Sequence, residues 1–136
     1  MQTFPLLAVG LILFVLLNLF VSDPGAPWYG LRCFDIEMIS SDVWQISAGD
    51  AFIMLSLALL FVEILRSTRS GSASVMNHAL SVLVFLVAAF MFIAVRGYGN
   101  STFFVFTAMT FLDFMAGFII TTVTSRRDFS FRGSEV

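Results

Sequence analysis

Four apolar stretches, at about 4–21, 47–65, 75–95 and 102–124, take up most of the 136-residue chain. Roughly 20 apolar residues in a helix span the ~30 Å of hydrocarbon in a bilayer. In that solvent every backbone N–H and C=O must be paired within the protein, and a single apolar stretch can do this as a helix. The expected fold class is therefore an all-α membrane protein, four transmembrane helices in an antiparallel bundle. Short connections and a polar tail, 125–136, use up the rest, so a single transmembrane domain is expected over residues 1–136.

Composition agrees. Hydrophobic residues make up 59 % and charged residues 12 %, and the mean hydropathy is +0.97, far from a soluble average. Nine acids stand against seven arginines scattered along the chain, which leaves no basic footprint for nucleic acid. Cys33, the single cysteine, excludes an intrachain disulfide and reads as a free thiol near the membrane surface, or as a link between two copies in an oxidising compartment.

The first stretch contains Pro5 in a first helical turn, where proline is tolerated. It has no basic n-region and is too long for a signal-peptide core, so a retained helix is expected. Asp23, Pro24, Gly25 and Pro27 end it. In the connection that follows, Ile36, Ile39, Val43 and Ile46 recur at helical spacing, which predicts a short interfacial helix in the first outer loop. The alternation from Phe34 to Met38 equally suits an extended piece. Arg69 and Ser70-Gly71-Ser72 predict a flexible turn between the second and third stretches, with Ser74 as N-cap of the third. Arg96, Gly97 and Gly99 close the third, and Arg126 and Arg127 the fourth.

Basic residues in short loops stay on the cytoplasmic side. Arg66 and Arg69 in the second turn, with Arg126, Arg127 and Arg132 in the tail, make five arginines against two, Arg32 and Arg96, in the other loops. Both termini are expected in the cytoplasm, and the first loop outside. Trp28, Tyr29, Trp44 and Tyr98 fall in or beside the outer loops, where a belt of amphipathic rings is expected at the headgroups.

Ionisable residues inside a membrane cost a few kcal/mol each and mark sites. Asp113 lies twelve residues after Ser101 and thirteen before Arg126, near the centre of its span. Thr110, Asp113, Gly117, Thr121 and Thr124 recur at spacings of three, four, four and three. A stripe of small and hydroxylated residues lets another helix approach and offers hydrogen bonds across the contact. Asp113 is either a carboxyl that glues helices together or a proton or cation site. Glu63 is placed to pair with Arg66 at i, i+3, or with His78 across the short turn. Asp50, Asn18 and Arg96 approach one depth at the outer end, which suits an outer polar cluster; the helix dipole alone also favours Asp50 in a first turn.

No cofactor is expected. A lone histidine cannot give both axial ligands of a haem within one chain, and no metal-ligand spacing, phosphate-binding glycine loop or nucleophile set is present. An enzyme is not indicated. The four-span size resembles that of the small multidrug resistance transporters. Those carry their essential glutamate in the first helix, and this first stretch has no acid, so no residue is carried over. The run from Trp44 through Asp50 to Arg66 and the ending from Asp113 to Asp128 are similar to small uncharacterised four-span inner-membrane proteins of Gram-negative bacteria, which implies that membrane and no activity. Two roles are expected of such a chain. It is an accessory or scaffold subunit packing in a larger membrane complex, or an oligomeric proton-coupled transporter of ions or small molecules using Asp113. Its partners would be lipid and other membrane subunits or further copies of itself.

This topology predicts that a membrane-impermeant thiol reagent labels Cys33 in intact cells. Labelling only after lysis would invert it.

Overall fold

The computed structural model describes residues 4–69 and 73–134, with backbone alone for 73, 74, 124, 125 and 127–134. It is mostly helical. The helices are α1 (Leu6–Phe20), α2 (Ala48–Ser67), α3 (Ala73–Ala94) and α4 (Ser101–Ser134), and a hairpin of β1 (Arg32–Glu37) and β2 (Val43–Ser47) lies between α1 and α2. By length and composition α2, α3 and α4 are each sufficient to cross a membrane, while α1 is apolar but shorter. Its 15 residues make a cylinder of about 22 Å.

Each helix ends where the local chemistry dictates. Pro5 stands immediately before α1 and has no side-chain cap to offer. Gly25 takes a left-handed φ of 93° in the turn closed by Ala26 N–H donating to the Asp23 carbonyl at 3.0 Å. Ser47 caps α2 in a capping box: the Asp50 N–H donates to Ser47 Oγ at 3.2 Å, and the Ser47 N–H donates to Asp50 Oδ2 at 3.1 Å. Asn100 accepts from the Phe103 N–H at 2.8 Å and so caps α4. α3 starts at Ala73, which puts Ser74 inside its first turn rather than at the cap. The expected turn 70–72 lies outside the described residues. α4 continues as helix past the end of its apolar run, through Arg126 and Arg127 to Ser134.

The interfacial helix expected in the first loop is not formed; the segment is the β-hairpin instead. β1 and β2 run antiparallel with Asp35 opposite Gln45, Ile36 opposite Trp44 and Glu37 opposite Val43. The four branched residues that suggested a helix are split by the reversal, in which Ser41 takes a φ of 70° and the Met38 N–H donates to the Asp42 carbonyl at 2.8 Å. Of the four, Ile46 alone is buried, so they never form one face. The alternation that reads as strand prevailed.

α4 packs against α2 and α3, and α1 lies against the same two. At the hairpin end the interior is aromatic. Phe14, fully buried, sits edge-on to Trp28 (centroids 5.1 Å apart) and Phe52 (5.3 Å), and against Phe103 (4.8 Å) and Tyr98 (5.8 Å). Offset and edge-on pairs of this kind add to the burial of apolar area. This corrects the expected belt. Trp28 and Tyr98 are buried in the core, Tyr29 is partly buried, and of the four rings Trp44 alone is exposed. The outward faces of α2, α3 and α4 are apolar and exposed, as Leu57, Phe61, Leu86, Phe90, Phe104 and Phe111 illustrate.

At Gly49 the first loop and α4 approach α2 closely. A Cβ there would stand 2.8 Å from the Tyr29 carbonyl oxygen and 2.9 Å from Thr102 Oγ1. Backbone cannot yield as a side-chain tip can, so Gly49→Ala is expected to lower stability by about 1–3 kcal/mol. Thermal unfolding in detergent measures it, and an unchanged midpoint contradicts the packing.

Candidate functional site

At the opposite end of the bundle, where α2 ends and α3 begins, the interior is polar. Glu63, four residues before the end of α2, is 1 % exposed. Its Oε2 accepts from the Leu6 N–H, the first of α1, and its Oε1 accepts from Asn77 Nδ2 on α3 at 3.2 Å. The first N–H groups of a helix have no intrahelical partner. Since Pro5 brings no cap, a carboxylate from another helix takes that role, with the helix dipole in its favour.

Asp113 is buried on α4 and faces the Ser81 hydroxyl of α3, close enough to Glu63 for the two carboxyls to interact electrostatically. Of the α4 stripe, Thr110 and Asp113 are buried and Gly117 and Thr121 partly buried, and the two threonine hydroxyls bond carbonyls of α4 itself rather than reaching across the contact. Thr110 is buried, with its hydroxyl donating to the Thr107 carbonyl at 2.6 Å. Gly117 lies so close to His78 that a Cβ would stand 2.7 Å from Nδ1. Thr121 donates to the Gly117 carbonyl at 2.8 Å. Thr124 is helical, but its side chain lies outside the described residues. Ser67, Asn77, His78, Ser81, Asp113 and Thr121 surround a cavity of about 10 Å³.

The structure therefore gathers Asp113, Glu63, His78, Gly117 and Thr121 in one place. The expected Glu63–His78 pair is not made: Asn77 takes the carboxylate instead. Adjacent residues on a helix point about 100° apart, so with Asn77 turned to α2, His78 turns to α4. Its ring stacks on Phe114 at 5.7 Å, and Nδ1 is buried without a partner. Arg66 is half-buried, Arg69 and Arg126 are exposed, and the side chain of Arg127 lies outside the described residues.

At the hairpin end the expected outer polar cluster does not assemble among the described residues. Asp50 is held by Ser47, Asn18 accepts from the Ser22 hydroxyl at 3.4 Å and lies beside Gly97, and no ion pair joins Asp50 to Arg96 among the described residues. Cys33 is free and exposed. No group of three or more His, Cys, Asp or Glu side chains that could hold a metal occurs among the described residues.

Three contributors were missed. Asn77 and Ser81 lie four apart on one face of α3, and that spacing was a readable signal. The Leu6 N–H belongs to the backbone and leaves no trace in residue identity. Comparisons of the chain with protein-family models, curated proteins and solved structures find no match.

Glu63→Ala removes the acceptor for two partly buried donors and should lower stability by about 1–2 kcal/mol. Glu63→Gln should lose much less, because its carbonyl still accepts from Leu6 and a reoriented Asn77 can accept from its amide. Unfolding of both variants in mixed micelles checks this; equal losses contradict the hydrogen-bond assignment.

Proposed function

We propose that the chain is a four-span protein of a bacterial inner membrane, with both termini in the cytoplasm and the hairpin outside, and that it serves as an accessory or scaffold subunit within a larger membrane assembly. α1 completes its crossing with the residues flanking the helix. The orientation rests on the five cytoplasmic arginines against two outside.

One observation carries the subunit reading. The interior at the hairpin end is closed by Phe14, Phe103 and Phe106, each with 0 % exposure, while the polar cavity at the other end measures only about 10 Å³. A conduit needs a polar path from one side to the other, and this interior changes from polar to aromatic halfway along. The buried acids have donors from neighbouring helices, as packing glue requires. The exposed apolar faces of α2, α3 and α4 suit lipid or the helices of partner subunits.

Asp113 and His78 line one cavity, with the Glu63 carboxyl near enough to Asp113 to interact with it, and this favours a second reading, an oligomeric proton-coupled transporter with Asp113 as its coupling group. Asp113→Asn separates the two. The amide keeps the shape and hydrogen bonds, so a subunit assembles nearly normally, whereas a proton-coupled transporter loses its flux in liposomes. For the subunit reading itself, mild-detergent purification of the tagged chain from its native membrane should bring down a stoichiometric larger partner. A clean homo-oligomer with proton-coupled flux that Asp113→Asn abolishes would overturn it.

A further inference from the structure

At the hairpin end α1 and α2 do not close on each other. A groove of about 300 Å³ lies between them. Leu13, Leu17 and Val21 recur every four residues along its α1 wall, and Ala48, Ala51 and Leu55 line its α2 wall. The two alanines are too short to fill the gap. Leu31 and Cys33 of the first loop line it as well, and the Ala48 N–H donates to the Leu31 carbonyl at 2.7 Å, so the loop roofs the groove where α2 begins. Trp28, 2 % exposed, forms part of the lining. From Leu13 to Val21 is eight residues, or about 12 Å of helix. That is most of one leaflet of a hydrocarbon core ~30 Å thick.

Whatever fills this groove must be apolar. Among the described residues no charged side chain lines it, so water entering it finds too few polar partners to be held. Left empty, it deprives its walls of dispersion contacts. The groove also opens sideways, since Val21 and Leu55 on its rim are exposed and continue into the exposed apolar Leu16 of α1 and Met54 of α2. We propose that it binds one acyl chain of an outer-leaflet phospholipid, a site that rests on the reading of the chain as membrane-spanning. A crossing helix of a partner subunit is about 10 Å wide and has to continue past Ala48, where the first loop stands in its way. An acyl chain is thinner and ends beneath that roof. Trp28, hidden from solvent by the rest of the fold, then has lipid against it.

Bromine on an acyl chain quenches the fluorescence of an indole that it touches, and Trp44→Phe leaves Trp28 as the sole tryptophan. The full chain with that change is reconstituted into vesicles of phosphatidylcholine brominated along its acyl chains, and into the same lipid without bromine. Trp28 should lose fluorescence in the brominated vesicles. Ala51→Leu, a change at an exposed position that fills the groove, should restore most of it. A chain that alkaline carbonate strips from the vesicles would overturn the membrane reading and this site with it. A retained chain whose Trp28 is unquenched, or is quenched equally with Ala51 and with Ala51→Leu, would overturn the site alone. So would a disulfide between the Cys33 residues of two copies, formed in the vesicles while Trp28 stays unquenched, because a second copy would then occupy the groove.

Discussion

A single carboxylate, that of Glu63, determines how the helices meet at one end of this protein. A charge-bearing group taken out of water costs several kcal/mol unless donors replace its hydration, and Glu63 is 1 % exposed. Its donors come from two other helices, the Leu6 N–H of α1 and the Asn77 amide of α3. The requirement to supply them fixes where α1 starts and how α3 is rotated. That rotation sends His78 to Gly117, which has no Cβ to obstruct it, and brings Ser81, one turn on, to Asp113. The contacts among α1, α2, α3 and α4 at this end are thus consequences of one buried acid.

The hairpin end is held by different physics. Phe14 is the centre, touching rings from the first loop, from α2, from the approach to α4 and from α4 itself. Burial and ring geometry, with no charge to satisfy, give that end its cohesion. The capping box at Ser47 and Asp50 joins β2 to α2 without a linker, and the Ala48 N–H donates to the Leu31 carbonyl at 2.7 Å. The hairpin is thereby docked on α2. A bundle built this way is aromatic at one end and polar at the other, and the proposed role as a subunit follows from that division.

The helices were legible because long apolar runs leave a chain few alternatives. On α4, Thr110 and Asp113 of the stripe are buried, and Gly117 and Thr121 partly so. The first loop was not legible. Ile36, Ile39, Val43 and Ile46 have the spacing of a helix face and the branching of strand residues, and the reversal at Ser41 that decides between them depends on one left-handed backbone angle. Nor did the aromatics reveal their depth, for a tryptophan at a headgroup boundary and one in a core have the same identity, and Trp28 is in the core at 2 % exposure. The choice of Asn77 over His78 as the partner of Glu63 turned on a rotation of one residue. The donor from α1 was backbone, which no pattern of side chains records.

The central claim is that Glu63 and Asn77 act together across the α2–α3 contact. A double-mutant cycle tests it most directly: Glu63→Ala, Asn77→Ala and the pair, with unfolding free energies measured in the same micelles. The hydrogen bond predicts a coupling of about 0.5–2 kcal/mol between the two sites. Single losses that simply add, to within a few tenths of a kcal/mol, would contradict it and leave the buried carboxylate without its part in assembling the bundle.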